Sequence, residues 1–215
     1  MSAILAVDTT SENGSVALLK GEAVMEEIAL ESSDGFAHVL FPALEKLLAR
    51  HGMDWRSIDV FACASGPGAF TGVRVGLAAV KGLAEATGRK VIAVSNLQAL
   101  AWFGTAPLRA TLMDARRGDI FGAVYSAALE VVCAEVVMPL EEWLRTLPAG
   151  EMEFISAGIS LEVGDGVRDP VKQAPRLLAG AIARIAASRL EAARDPAEID
   201  ANYVRRSDAE LRWKD

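Results

Sequence analysis

The hydrophobic and polar positions of the first thirty residues follow the pattern of short strands. An apolar run at 3–7 ends at Asp8, and the polar loop TTSENG leads from it to a second run, SVALLK. Gly21 separates this run from a third, EAVMEEIAL. Short apolar runs divided by polar or glycine-containing turns are typical of strands joined by hairpins. We therefore predict three such strands at the start of the chain.

From residue 36 the apolar residues take the spacing of a helix. The residues that share one helical face are Val39, Leu40, Ala43, Leu44, Leu47 and Leu48. Gly52 follows them and predicts the end of this helix. Apolar runs at 58–64 and 91–94 predict two buried strands, and a segment with helical spacing follows each of them, the first running to Gly88.

The same order of elements begins again about halfway along the chain. The run ATLMD ends in Asp114 as the first strand ends in Asp8, and the polar loop ARRG and two strand-like runs, DIFGAVYSA and LEVVCAEV, follow. We predict an α/β protein with duplicated βββαβα units, divided into an N-terminal lobe at 1–104 and a shortened C-terminal lobe at 105–215. In the second lobe, EFISAG predicts a further strand and the apolar spacing at 175–194 predicts a long helix.

Charge and composition exclude two classes of protein. The 215 residues include 22 Lys and Arg against 29 Asp and Glu, a formal net charge of −7. Autonomous binding of a nucleic acid requires a dense cationic face, so we expect none from this chain alone. A membrane span requires roughly 18 apolar residues, which no run reaches, and no basic segment precedes the first apolar run as in a signal peptide. We expect a cytoplasmic protein without membrane contact, with Cys63 and Cys133 as buried thiols.

A glycine-rich segment, SGPGAFTGVRVG, lies between a predicted strand and a predicted helix. Backbone N–H groups in this position can hold an anion at the helix N-terminus. The segment is not a dinucleotide fingerprint, because Thr71 stands at the third glycine position, and it lacks the lysine of a P-loop. Two interpretations remain open. One is phosphate contact through Gly66, Gly68, Thr71 and Gly72; the other is close packing or partner docking along Gly72 and Gly76.

The loop after the first predicted strand carries one carboxylate and three hydroxyl groups, in the order Asp8, Thr9, Thr10 and Ser11. Hydroxyl and backbone N–H groups in such a loop suit the oxygens of a metal-bound phosphate. The alternative is an Asx turn in which the carboxylate of Asp8 accepts hydrogen bonds from its own loop.

The corresponding loop of the second half places Arg116 and Arg117 between Asp114 and Asp119. Guanidinium groups suit the recognition of phosphate or carboxylate groups. A solvent-exposed salt bridge within the loop is the alternative interpretation.

Five blocks of the sequence resemble the bacterial TsaB family and occur in its order. They are ILAVDTTSENGSVAL, SGPGAFTGVRVG, VIAVSNLQALA, MDARRGDIF and YVRRSDAE, and they span nearly the whole chain. The glycine-rich block is the most specific, since the family pattern is close to GPGSFTGxRxG, and Ala69 replaces its serine here. Phe36 stands six residues before Pro42, where the family has a histidine, and the proline of the C-terminal PxYLR pattern is missing at 201–205.

This resemblance implies a two-lobed fold of the actin-like, sugar-kinase and heat-shock-chaperone (ASKHA) type. The family acts in the formation of threonylcarbamoyladenosine (t6A), the modified base beside the anticodon of many tRNAs. It pairs there with its paralogue TsaD, which transfers the threonylcarbamoyl group from threonylcarbamoyl-AMP to the adenosine, and the ATPase TsaE joins the pair. The resemblance thus implies a required partner subunit that is not catalytic alone, with a homodimer as a second assembly.

The resemblance also implies where ligands and partners bind. We expect no tightly bound cofactor and no metal ligand, and we place ATP or ADP with Mg²⁺ at the interface of the complex, nearest to the loops at 8–11 and 66–72. The docking surface is expected on the helices at 36–48 and 73–86, for the homodimer and for the TsaD pair. The residues expected to contribute to it are Phe36, Val73, Gly76, Leu77, Ala79 and Val80.

Two other functions remain as alternatives. A stand-alone ATPase or phosphotransferase would share the ASKHA fold. A glycoprotease-like peptidase, an older label of the family, would need catalytic parts that the sequence lacks, because it contains two histidines and neither an HExxH nor a GxSxG motif.

Overall fold

The computed structural model describes residues 2–157 and 171–204. The chain forms two compact units, of which the first combines Met1–Asn96 with Leu177–Asn202 and the second combines Leu97–Arg176 with Tyr203–Asp215. This division differs from the lobe boundary predicted between residues 104 and 105, which stays a sequence-based prediction.

Ten strands and five α-helices make up the described residues. The strands are β1 (Ala3–Asp8), β2 (Ser15–Lys20), β3 (Ala23–Ala29), β4 (Val60–Ala64), β5 (Lys90–Val94), β6 (Leu108–Arg116), β7 (Asp119–Ser126), β8 (Val131–Pro139), β9 (Met152–Ser156) and β10 (Lys172–Gln173). The helices are α1 (Leu40–Arg50), α2 (Phe70–Thr87), α3 (Asn96–Ala101), α4 (Leu140–Thr146) and α5 (Ala179–Ala187). Short 3₁₀ turns lie at Trp55–Ser57, Leu190–Ala192 and Pro196–Glu198.

The first unit is built on a sheet with the strand order β3-β2-β1-β4-β5. The first three strands are antiparallel, as the hairpin pattern predicted, and β4 and β5 run parallel to β1. Leu5 and Val7 of β1 lie in one hydrophobic core with Leu44 of α1 and Val80 of α2. The intervening residues of β1, such as Ala6, are equally buried and face the side of the sheet against which α5 packs.

The second sheet repeats this order and these directions. Its strands lie in the order β10-β9-β6-β7-β8, with β6, β7 and β8 antiparallel and with β9 and β10 parallel to β6. Each strand therefore corresponds to the strand five places earlier in the chain. The predicted duplication is confirmed for strand order and direction, while residues 158–170, between β9 and β10, lie outside the described residues.

The core of the second unit is centred on Trp143 of α4, which is 1% exposed. Its ring meets Phe154 of β9 edge to face, with centroids 6.3 Å apart. Gly122 of β7 makes room for this ring, because a Cβ there would lie 2.5 Å from Cε2 of the tryptophan. The glycine in the middle of a strand is thus explained by the close approach of the indole.

Two predicted helices differ in extent from the observed ones. Residues 36–39 form turns in which the N–H groups of Val39 and Leu40 both donate to the carbonyl of Phe36, so that α1 begins at Leu40 rather than at residue 36. The helix predicted at 175–194 is shorter, since α5 ends at Ala187 and a 3₁₀ turn follows it.

The two cysteines are free and differ in exposure. Cys63 in β4 is buried, which raises the pKa of its thiol to about 12 and makes it unreactive, whereas Cys133 in β8 is half-buried. Among the helices of the described residues, none has both the length and the apolarity that spanning a membrane requires.

Candidate functional site

The loop after β1 lies directly against the first turn of α2. The hydroxyl of Thr9 donates a hydrogen bond of 2.7 Å to the carbonyl oxygen of Gly72. The N–H of Ala69 donates to the carbonyl oxygen of Thr10, also at 2.7 Å. Two residues that were predicted to contact phosphate therefore hold the N-terminus of α2 against the sheet.

The glycines of the motif make this contact possible. A Cβ at Gly72 would lie 2.0 Å from the carbonyl oxygen of Thr9, and one at Gly68 would lie 2.5 Å from that of Thr10. One turn further along α2, a Cβ at Gly76 would lie 2.6 Å from the hydroxyl oxygen of Thr9. The sequence left phosphate contact and close packing open as roles of this motif. In the first unit the glycines pack closely against Thr9 and Thr10.

The side chains at this junction are bonded to one another. Oδ1 of Asp8 accepts hydrogen bonds from the backbone N–H and the hydroxyl of Thr10, at 2.9 and 2.6 Å, which is the Asx turn that stood as an alternative. Nδ2 of Asn96 donates to the hydroxyl oxygen of Thr10 at 2.7 Å. The backbone of Gly66 exchanges two hydrogen bonds with Asn96, one with its side-chain Oδ1 and one with its N–H. The loop after β1, the glycine-rich loop and the start of α3 thus form one network.

Asp8 is the titratable group of this network and is 1% exposed. Burial raises its pKa above the ordinary value of 3.8, and the nearby charge of Glu27 acts in the same direction, while the hydrogen bonds from Thr10 lower it. Its second oxygen, Oδ2, has no hydrogen-bond partner in the described part of the protein. Burial therefore disfavours the ionised form of Asp8 relative to its ordinary state in water.

The N-terminus of α5 also lies against the first sheet, and its N–H groups bond to a carboxylate and a hydroxyl of that sheet. Gly180 donates its N–H to Oε1 of Glu27 at 3.0 Å, and Ala179 donates its N–H to the hydroxyl oxygen of Ser15 at 3.1 Å. A Cβ at Gly180 would lie 2.8 Å from Oε2 of Glu27, so the glycine lets the carboxylate approach. Helix N-termini attract anions, and Glu27 supplies one here without a ligand.

The remaining phosphate candidates are more accessible. Ser11 is half-buried and its hydroxyl oxygen accepts the N–H of Asn13 at 3.1 Å, while Thr71 in the first turn of α2 is exposed. Within residues 2–157 and 171–204, no group of three or more His, Cys, Asp or Glu side chains is arranged to hold a metal ion.

The six residues predicted for the partner interface are all buried in the first unit. Val73, Gly76, Leu77, Ala79 and Val80 lie on the face of α2 that packs on the sheet, and the Phe36 ring covers Gly14. Their side chains build the core and are not on the surface. The exposed aromatic residues of the same two helices are different ones, namely Phe41 of α1 and Phe70 of α2, each 43% exposed.

Sequence reasoning missed Asn96, Ser15 and Glu27. The signal for Asn96 was available, because Asp8 ends β1 while Ser65 and Asn96 come just after its parallel neighbours β4 and β5, and such carboxyl ends meet at one edge of a sheet. The pair of Ser15 and Glu27 had no comparable signal, since it meets α5 more than 150 residues later in the chain. Residues 205–210 of the block YVRRSDAE lie outside the described residues.

The known proteins to which this chain is similar are named for one and the same modification of tRNA. A family model described as TsaD, tRNA N6-adenosine threonylcarbamoyltransferase, matches residues 29–209. The tRNA threonylcarbamoyladenosine biosynthesis protein TsaB of Bacillus subtilis is 31% identical over 160 residues, which cover 72% of this chain and 70% of that protein. TsaB of Haemophilus influenzae is 40% identical over 100 residues, which cover 46% of this chain and 41% of that protein.

A solved structure extends the similarity to the fold. The crystal structure of a Pseudomonas aeruginosa protein with similarity to peptidase YeaZ superposes with a TM-score of 0.79 at 28% identity, over 95% of this chain and 100% of that one. Together with the two sheets of equal strand order, this confirms the predicted α/β fold of the ASKHA type.

The contact between Gly72 and Thr9 predicts opposite effects for two alanine substitutions in α2. Gly72→Ala forces a methyl group into the Thr9 carbonyl and should destabilise the protein by about 3 kcal/mol. Gly82→Ala, where a Cβ would meet nothing within 4 Å, should stabilise it by roughly 0.5–1 kcal/mol through helix propensity. Thermal and urea unfolding of the two variants measure this, and equal effects would contradict the packing role of the motif.

The burial of Asp8 predicts a pH dependence of stability. A carboxyl group whose folded-state pKa is raised adds stability that is fully present below its unfolded-state pKa and is lost as the pH rises through the folded-state value. Asp8→Asn keeps an acceptor for Thr10 and removes the ionisation, so the wild type should lose stability relative to this variant as the pH rises above the ordinary carboxyl pKa of 3.8. Urea unfolding at stepped pH measures the difference, with the exposed Asp114→Asn as the control, and a difference independent of pH would contradict the prediction.

Proposed function

The chain belongs to the TsaB family, whose members act in the biosynthesis of tRNA threonylcarbamoyladenosine, and from this premise we propose that it is the non-catalytic partner subunit of a TsaD-type transferase. In this role it binds the transferase and holds it in an active arrangement, and a TsaE-type ATPase joins the pair. The transfer of the threonylcarbamoyl group to the adenosine takes place on the partner.

The internal bonding of the junction between β1 and α2 is the observation that carries this proposal. Asp8, Thr10 and Asn96 bond to one another and to the backbone of Gly66, so their polar groups hold the fold together. A catalytic carboxylate instead directs its oxygens at substrate or metal, whereas Oδ1 of Asp8 is engaged by Thr10 and its Oδ2 is buried without a partner among the described residues. These residues therefore support a structural role for the junction and chemistry elsewhere in the complex.

Nucleotide binding is proposed for the complex and not for the isolated chain. The N-terminus of α5 holds the Glu27 carboxylate, and a phosphate brought to the same place would meet a like charge. Ser11 and Thr71 are the accessible hydroxyl groups left beside the junction. They would contribute to an ATP or ADP site with Mg²⁺ only where the partner supplies the remaining ligands.

The proposed docking surface is the solvent face of α1 and α2. Both helices pack on the same side of the first sheet, and each exposes one phenylalanine, Phe41 and Phe70. The Arg74 guanidinium stacks over the Phe70 ring at 3.7 Å, which holds both groups at the surface in a fixed geometry. Aromatic residues and arginine are enriched at the energetic centres of protein interfaces. If one face serves both the homodimer and the TsaD-type pair, the two assemblies exclude each other.

Light scattering on a mixture with the TsaD-type protein of the same organism, with and without ATP, tests the proposed function. We expect a one-to-one complex to replace the homodimer. Absence of a complex under all nucleotide conditions would overturn the proposal. ATP turnover by the pure chain that is lost in Asp8→Asn would then favour the stand-alone ATPase.

Substitutions of the exposed phenylalanines test the docking surface. Phe41→Ser and Phe70→Ser should each weaken pairing with the TsaD-type partner by about 30-fold, as expected for loss of a buried aromatic anchor. Their effect on folding should be small, because both side chains are exposed in the free chain. Titration of the labelled partner measures the affinity.

Val131→Ser is the matched control, since Val131 is 60% exposed on β8 of the second unit. An equal loss of affinity in this control, or full affinity in both phenylalanine variants, would contradict the assignment. Gly76 is unsuitable for this test, because any side chain there meets the Thr9 hydroxyl and disturbs the fold.

A further inference from the structure

The hairpin between β6 and β7 has an unusual backbone at its tip. Three consecutive residues have positive φ angles, 67° at Arg116, 60° at Arg117 and 85° at Gly118. Arg116 pairs with Asp119 across the hairpin, so Arg117 and Gly118 form a two-residue turn, and the register shifts between Asp114 and Arg116. The tip therefore combines a primed turn with a bulge.

Arginine is a poor choice for this backbone. A residue with a Cβ loses roughly 1–2 kcal/mol in the left-handed region, where glycine and asparagine are favoured. The third non-glycine residue with a positive φ angle among the described residues, Leu129 (φ 60°), has a structural reason for it. Its side chain is 6% exposed and its carbonyl oxygen accepts a hydrogen bond of 2.9 Å from Gln98. Arg116 and Arg117 are both exposed, so burial does not offset their strain.

The Arg116 side chain is not used within the hairpin. The Asp114 carboxylate accepts the backbone N–H of Arg116 at 2.7 Å, and no ion pair joins these two side chains. Among the described residues, the Arg116 guanidinium makes no hydrogen bond or ion pair at all. The salt bridge that the sequence suggested within this loop therefore does not explain the presence of Arg116 at this position. A residue that strains the backbone and makes no polar side-chain contact with the described residues indicates a function outside the fold.

We propose that the tip of the β6–β7 hairpin binds phosphate groups of tRNA in the assembled complex. The inference rests on the proposed function, which brings this chain to a tRNA. Guanidinium groups form short, charge-assisted hydrogen bonds with phosphate oxygens, and Arg116 and Arg117 sit side by side at an exposed turn. Such contacts fix the position of the RNA and read no sequence.

The charge of the chain limits this site to a supporting role. With a net charge of −7, the protein as a whole disfavours a polyanion, so contact with one requires local basic features. Two arginines cannot hold a tRNA alone, so the hairpin acts only where the partner supplies most of the affinity. RNA is favoured over an acidic protein surface, because an RNA backbone presents successive phosphates in any sequence, and because the family acts on tRNA.

The test uses the complex of the chain with its TsaD-type partner and an unmodified tRNA from the same organism that carries the target adenosine. Arg116→Asn and Arg117→Asn are made singly and together, since asparagine suits the left-handed backbone. Each substitution should weaken tRNA binding about tenfold, and the slope of log K against log salt should become less negative by about 1 for each arginine. Arg116→Asn should melt at the same temperature as the wild type or about 2–6 °C higher.

Arg145→Asn is the matched control, because it removes the same charge from an exposed position on α4 of the same unit. Unchanged affinity and salt slope in the double variant would overturn the proposal, and so would an equal loss in the control. Pairing with the TsaD-type partner, measured by light scattering, should not change. Loss of pairing would make the hairpin a protein contact and would also overturn it. If the wild-type chains do not pair at all, the proposed function fails first, and this inference fails with it.

Discussion

The close approach of the β1–β2 loop to the first turn of α2 is the constraint on which the first unit depends. The Thr9 carbonyl occupies the place where Gly72 would carry a side chain, at 2.0 Å from the Cβ position. This approach brings Thr10 to the Ala69 N–H and to Asn96, and through Asn96 it fixes the backbone of Gly66. The apolar face of α2 is thereby held over β1 and β4, so a backbone contact decides how the core closes.

Because of this constraint, polar groups at the carboxyl ends of the strands hold the first unit together. In the fold, the carboxyl ends of β1, β4 and β5 meet at one edge, where open α/β sheets bind ligands. Here that edge is occupied by the chain's own groups, with Asp8 bonded to Thr10 and the Glu27 carboxylate at the N-terminus of α5. Oδ1 of Asp8 and the Glu27 carboxylate are therefore engaged within the unit, while Oδ2 of Asp8 has no hydrogen-bond partner among the described residues. The surface also carries groups that a partner can contact, among them the exposed Phe41 and Phe70 side chains.

Local patterns predicted the strands and their duplication because apolar runs and turns report on a few neighbouring residues. The sequence does not decide the role of the glycine motif, because a glycine at Gly72 or Gly76 allows the close approach of any neighbouring group. Only the fold shows that the neighbouring residue is Thr9. An apolar stripe such as that of α2 likewise shows that a face is buried but not by what, and in the fold this face packs on the first sheet. Capping of α5 by Ser15 joins distant parts of the chain and leaves no local pattern.

The same local turn occurs in both repeats, but it is buried in the first repeat and exposed in the second. Oδ1 of Asp8, at the end of β1, and Oδ1 of Asp114, near the end of β6, each accept the N–H of the residue two positions on, at 2.9 and 2.7 Å. In the first repeat this turn is buried, and the Thr10 hydroxyl bonds to both Oδ1 of Asp8 and Nδ2 of Asn96. In the second it is exposed and carries Arg116 on a left-handed backbone. Because the fold needs only the turn, the second copy is free to bear side chains that cost stability, and such a position is where contacts with another molecule are to be sought.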